Sequence, residues 1–445
     1  MPRTLLIANA RIVAADGVLE GDVLVRGERI ESVGTDLAGC PADEVIDAAG
    51  RHLFPGLIDD HVHFREPGAA HKGDIASESR AAVAGGTTSF MEMPNTAPAT
   101  TTRAALEAKH ALAAASSMAN WSFYLGATNQ NLDEIRALEP SADCGIKVFM
   151  GASTGDLLVD DPAALDGVFR EARVPVATHC EHTPTIEFEL EAWRARRGDD
   201  IPMSAHPQIR SAEACFVSTS LAVELARQHG TRLHVLHLTT ARELDLFESG
   251  PLAAKRISAE VCAHHLHFCD EDYERLGTRI KCNPAIKTRA DRDALRAALA
   301  EGRIDVVATD HAPHTLEEKD RPYLDAPAGL PSIQHSLSLL VDLHRQGVLT
   351  LGQIAERGAL APARLFGVKD RGAVAEGFFA DLVLVDLDRP HTVIRENVLH
   401  KCGWSAFEGH AFSSTVALTL VNGRVAYRDG RFDGTVRGRR LEFTR

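Results

Sequence analysis

Apolar and polar positions change texture twice along the chain. From Thr4 to Phe54 they alternate in short runs, LLIANARIV, DVLVRGERIESVG and EVIDAAG, each cut by Gly or Asp, the pattern of a small antiparallel sheet. The same texture returns from about Arg371 in GFFADLVLVDL and STVALTLVNGRVAYRDG, where Asn422 and Gly423 signal a tight hairpin turn. Between them, eight apolar runs (GLIDDH, TTSFMEM, WSFYLGA, GIKVFM, VPVATH, RLHVLH, ISAEVCA and IDVVAT) are separated by helical patterns such as Arg103 to Ala115 and Asp291 to Ala300. Repeated strand–helix units of that number predict an α/β chain built on a closed (β/α)8 barrel. Residues 55–370 are assigned to the barrel, and 1–54 with 371–445 to one discontinuous β-sandwich.

At 445 residues, a large domain with a smaller companion is the expected organisation. Hydrophobic residues make up 44% and charged residues 25%, so a folded soluble chain is expected rather than a disordered one. The net charge of -14 and the lack of any dense Lys/Arg run argue against nucleic acid or anionic membrane as partner and favour a small-molecule substrate. No apolar stretch reaches the length of a membrane span, and the start MPRTLLIANARIVAADG lacks the segments of a secretion signal; a cytoplasmic location is expected. The eight cysteines include no C-x-x-C pair and read as reduced thiols; Cys180, next to His179, reads as a packing residue.

Candidate chemistry falls at the ends of the predicted strands, where barrel enzymes carry it. The first strand ends in His61 and His63, the fourth holds Lys147, the fifth ends in His179, the sixth in His237 and the eighth in Asp310. Alternate residues of a strand share a face, so His61 and His63 can address one ion, with His179 and His237 holding a second; imidazole donors favour zinc. An ordinary lysine ammonium would repel such ions, but carboxylation of the neutral Lys147 amine yields an anionic carbamate able to bridge two Zn2+. Asp310 combines metal contact with proton transfer between water and a leaving nitrogen. The other histidines near these runs, His182, His234, His264, His265 and His267, are read as structural, and His234, of opposite parity to His237, is expected to face the helices.

Together these residues resemble the amidohydrolase superfamily, and HVHFREPG, MEMPNTAP, GIKVFMGASTG, ATHCE, VLHLTT, KCNPAIK and ATDHAPH are similar to strings of the dihydroorotases across nearly the whole chain. FPGLIDDHVH and GFFADLVLVD are likewise similar to that superfamily's sandwich–barrel junctions. The resemblance implies reversible hydrolysis of the cyclic amide of L-dihydroorotate to N-carbamoyl-L-aspartate, by a hydroxide shared between two metals. Arg65 can grip the ring carboxylate with two charged hydrogen bonds and Asn95 can add a donor; Asn283 and His314 face the substrate by the same analogy, which also suggests a homodimer. Ala285, Lys287 and the segment around Gly329 depart from the family strings, and residues 315–329 suit either a lid or a solvated connection. Two other activities use the same metals: that of an allantoinase and that of a dihydropyrimidinase or hydantoinase. An inactive scaffold homologue is the remaining alternative.

Overall fold

The computed structural model describes residues 2–151 and 157–445. The part of the string GIKVFMGASTG from Ala152 to Gly155 therefore lies outside the described residues.

Five strands open the chain: β1 (Thr4–Ala14), β2 (Gly17–Arg26), β3 (Arg29–Gly34), β4 (Glu44–Asp47) and β5 (His52–Pro55). The barrel follows in β6 (Leu57–Val62), β7 (Thr87–Glu92), β8 (Asn120–Phe123), β9 (Leu125–Gly126), β10 (Ile146–Phe149), β11 (Val176–His179), β12 (Leu233–Val235), β13 (Ile257–Cys262) and β14 (Val306–Ala308). Six strands close it: β15 (Leu382–Asp386), β16 (His391–Thr392), β17 (Ala411–Phe412), β18 (Thr415–Val421), β19 (Arg424–Arg428) and the short β20 (Arg431–Phe432).

The barrel strands pair in parallel as β6–β7–β8 and as β9 through β14. Tyr124 interrupts the third strand, splitting it into β8 and β9. The ring closes where β14 meets β6: Val62 bridges His311 in parallel, and His63 N–H donates to the His311 carbonyl at 2.7 Å. The fold is thus a (β/α)8 barrel carrying a small β-sandwich built from both termini. Helix starts follow local chemistry, as at Arg289–Ala300, where Thr288 and Asp291 form a reciprocal capping box. One end of the barrel is plugged by the helix Ala361–Phe366, whose Leu365 and Phe366 pack with Ile58, Met91, Ala177, Leu236 and Val306. The opposite end is left for polar groups.

The terminal strands join into one sheet ordered β20-β19-β18-β15-β5-β1-β2-β3, with β4 beside β1. Leu5, Ile7, Ala10, Ile12, Val23, Val25, Leu382, Leu384, Leu418 and Leu420 form its core in steps of two, shifted once at a bulge where Asn9 has φ 57°. Asn422 and Gly423, at φ 50° and 74°, make the β18–β19 turn. The chain between β15 and β18 leaves this sheet: β16 and β17 pair with each other, and Trp404 Nε1 donates to the His314 carbonyl at 2.7 Å. The tail also returns to the barrel, with Leu441 N–H on the Trp121 carbonyl at 2.8 Å. Among the described residues no helix is long and apolar enough to cross a membrane.

Candidate active site

A cavity of about 330 Å³ opens at the C-terminal ends of the barrel strands, lined by His61, His63, Arg65, Asn95, Lys147, His179, His237, Asn283, Asp310 and His314. Every residue singled out from the sequence thus borders one space. Phe149 and Ala312, which were not anticipated, complete its wall together with Pro327–Gly329, the end of the stretch read as a lid or a solvated connection.

Two donor groups face each other inside it. His61 Nε2 and His63 Nε2 lie 3.2 and 3.0 Å from Asp310 Oδ1, all three buried and within 4.8 Å of one another. Opposite them, His179 Nδ1 and His237 Nε2 are 2.9 Å apart. The remaining ring nitrogens are tied from behind: His61 Nδ1 is 3.0 Å from Glu260 Oε1, His63 Nδ1 is 2.7 Å from Asn95 Oδ1, and His179 Nε2 is 3.0 Å from Glu181 Oε2, which also pairs with Arg210. Backing partners of this kind fix the ring orientation and raise ligand basicity, so the donor set fits divalent cations by its own chemistry. His237 Nδ1, buried without a partner among the described residues, is the exception.

The electrostatics agree with that fit. Burial disfavours charge on His61, yet Glu260 and Asp310 outweigh it and raise the imidazole to about 9, a site that asks for a cation. Burial holds His63 down at about 4 and lowers His237 well below the usual range. Lys147, fully buried with its ammonium over the Phe149 ring at 4.7 Å, is lowered by desolvation to about 8 against the pull of Asp310 and Glu260, so a useful fraction is neutral amine near pH 7.

Arg65 lies at the cavity mouth with φ 71°, its Nε donating to the Pro313 carbonyl at 3.1 Å. It is not consumed by its acidic neighbours: Glu66 accepts from Ile75 N–H, and Asp74 caps a helix and pairs with Lys401. His314 is held between Lys72 on Nδ1 at 3.1 Å and the Ala328 carbonyl on Nε2 at 3.0 Å, so burial and the adjacent Arg65 and Lys72 keep it neutral. Asn95 is exposed and spends its oxygen on His63, leaving the amide nitrogen for a ligand. Asn283 is half-buried, with its oxygen lacking a partner among the described residues.

The segment 315–329 is pinned at Lys319 and at its Ala326–Gly329 end, while Glu317, Asp320, Arg321, Pro322 and Asp325 are exposed. Lys319, fully buried, donates to the carbonyls of Lys281, Pro327 and Gly329 at 3.0, 2.9 and 2.8 Å, and Lys281 Nζ reaches the Ala326 carbonyl at 2.6 Å.

The placement of His234 overturns the expectation that it faces the helices. Its Nε2 sits 3.1 Å from Asp60 Oδ2 and 3.7 Å from Glu260 Oε2, beneath His61 and inside the barrel. The cause lies at His237, whose φ of 39° breaks strand alternation, so residues 234 and 237 share the interior despite opposite parity. Glu260 itself was missed, although a lone carboxylate amid the apolar run ISAEVCA is a legible signal of an inward polar task.

The model of the amidohydrolase family matches residues 52–426. A dihydroorotase of Halobacterium salinarum is 38% identical over 95% of this chain and 97% of its own length, and an allantoinase of Solibacter usitatus is 33% identical over 95% and 93%. Among solved structures, the L-hydantoinase (dihydropyrimidinase) of Arthrobacter aurescens superposes with a TM-score of 0.93 at 27% identity, over 99% of this chain and 100% of that one.

Proposed function

Because this chain belongs to the amidohydrolase family, with cyclic amidohydrolases among its relatives, we propose that it is a dihydroorotase, opening and closing the cyclic amide of L-dihydroorotate with two Zn2+ held by His61, His63, Lys147 as its carbamate, His179, His237 and Asp310. Cations at such a donor set supply a Lewis acid for the amide carbonyl and acidify water toward neutrality. The side chains do the rest. Asp310 accepts a proton from the attacking water and delivers it to the departing ring nitrogen, and runs the transfer backwards in ring closure. Arg65, its Nε already anchored, offers a charged grip to the ring carboxylate, with the Asn95 amide, Asn283 and neutral His314 alongside. Pro327–Gly329, clamped by Lys319, forms part of the cavity wall.

The observation that carries this reading is a guanidinium at the mouth of the donor-lined cavity that is not neutralised by Glu66 or Asp74. A neutral ring such as allantoin or dihydrouracil gives Arg65 no carboxylate to hold. A recess of about 200 Å³, where Ile186, Leu190, Ile209 and Leu324 stand beside His206, Arg210, Lys281 and Tyr323, shares Asn283 and Ala328 with the main cavity and gives room for a ring substituent, the one feature on the side of the rival cyclic amides.

The deciding experiment compares kcat/KM for dihydroorotate, allantoin, dihydrouracil and hydantoin at equal enzyme, with and without chelator. Dihydroorotate is expected to lead, with activity lost to chelator. Arg65→Met is expected to raise KM for dihydroorotate about 10-fold to 100-fold, the worth of one charged hydrogen-bonded contact. Faster turnover of any neutral ring would reject the substrate. Carboxylation joins neutral amine, whose fraction grows as pH rises through about 8, to dissolved CO2 with loss of a proton; at constant dissolved CO2, zinc reconstitution of chelator-stripped protein should therefore quicken over that range in the wild type and show no such rise in Lys147→Ala.

A further inference from the structure

A second cluster of metal-capable groups lies at the end of β13, outside the donor set described above. Cys262, His264 and His265 each present one ligand atom within 4.8 Å of the others, and all three are buried. Their bonding state differs from that of the buried group of Glu78, His311 and His400, where Glu78 Oε2 is 2.9 Å from His311 Nε2 and 3.1 Å from His400 Nδ1, leaving only His400 Nε2 without a partner among the described residues. By contrast, both ring nitrogens of His264 and Nδ1 of His265 are buried with no hydrogen-bond partner among the described residues. The Thr309 carbonyl lies within reach of His264 and favours its protonated form, which occupies at most one of the two ring nitrogens and leaves the other open.

Buried imidazole nitrogens without partners cost free energy unless something occupies them. The tautomer of His265 is set by its surroundings: Nε2 is 3.3 Å from the Pro284 carbonyl and so carries the hydrogen, leaving the lone pair on Nδ1. That lone pair, a His264 nitrogen and the Cys262 sulfur make a soft donor set. We propose that Cys262, His264 and His265 form a third metal site, selective for thiophilic divalent cations such as Zn2+ and Cd2+, whose occupancy regulates the adjoining catalytic cavity.

Binding forms a metal–sulfur bond and releases the thiol proton to solvent. Cys262 Sγ donates to Glu260 Oε1 at 3.5 Å, and the same oxygen holds His61 Nδ1. An ion at Cys262 removes that proton and places positive charge beside the carboxylate, competing with His61 for it. Excess zinc is therefore expected to inhibit through this site. The inference does not depend on which cyclic amide is the substrate.

The test titrates the protein as purified with Cd2+, reading bound metal per chain and the near-ultraviolet thiolate-to-cadmium band. The expected result is one further equivalent beyond the catalytic set, whose band is lost in Cys262→Ser and kept in Cys402→Ser, a half-buried free thiol elsewhere. His264→Asn keeps the thiol and decides the matter should Cys262→Ser misfold; it is expected to raise the cadmium concentration needed about tenfold or more. Inhibition by excess zinc should weaken in parallel. No further equivalent in the wild type, a full band in Cys262→Ser, or an unchanged titration in His264→Asn would each overturn the site.

Discussion

The terminal sheet and the barrel are both built of short strands, but they expose their logic differently. In the sheet, core-facing residues recur in steps of two, at Leu5 and Ile7, Val23 and Val25, Leu382 and Leu384, Leu418 and Leu420. In the barrel, all six residues of β6 and all six of β7 are buried, because helices cover one face and the packed interior fills the other. Much of the sheet is also covered on both faces, Leu6, Ala8 and Leu24 clustering on one side and Val383, Val385 and Val416 packing with the barrel, yet its apolar residues still sort between the faces in steps of two. The barrel interior carries polar residues as well, and their direction is decided by backbone kinks that composition cannot reveal.

Three such kinks lie at the cavity. Arg65, His237 and Asp310 have φ of 71°, 39° and 44°, left-handed conformations that side chains other than Gly and Asn seldom adopt and that functional sites concentrate. The sharpest way to break the contrast is at Asp310. As the proposed proton carrier, it should cost about 10²- to 10⁴-fold in kcat as Asp310→Asn, with the far-ultraviolet spectrum unchanged. A loss below about tenfold would reduce the strained strand end to packing.

His234 tests the barrel from beneath. If it lies inside and pairs with Asp60, His234→Ala strands a buried carboxylate and should destabilise the fold by about 3–5 kcal/mol in denaturant titration. A change within about 0.5 kcal/mol, the range of ordinary surface substitutions, would return it to the helical face that strand parity had suggested.

Glu260 links that layer to the cavity, touching His61 Nδ1, the His237 N–H at 3.0 Å and His234. Glu260→Gln preserves shape but removes the charge that favours a cation on His61, and should lower metal affinity or kcat about 10- to 100-fold. Metal content measured alongside turnover separates the two routes, and unchanged values for both would reject the positioning role.

What was legible follows from this contrast. The eight apolar runs disclosed the barrel because strand–helix repetition survives double burial, and His61, His63, Lys147, His179, His237 and Asp310 were found because metal-capable residue types at strand ends are rare in apolar surroundings. His234 was misplaced because parity assumes a continuous strand, which ends at Val235, two residues before His237. The wall Pro327–Gly329 was out of reach, since two buried lysines far apart in sequence, Lys281 and Lys319, pin that loop through backbone carbonyls that carry no sequence signal.

The smallest effect belongs to the sheet. Leu19 lies on β2 opposite Ile12, yet Leu19 is 63% exposed and Ile12 3%. The hairpin end therefore projects past the core that buries its partner, and hydrophobicity alone would have placed Leu19 inside. Leu19→Ser should shift stability by no more than about 0.5 kcal/mol, whereas Leu420→Ala in the same sheet, fully buried, should cost about 2–5 kcal/mol. Comparable losses at the two positions would mean that something covers the hairpin end in solution and that the sheet's core reaches its edge.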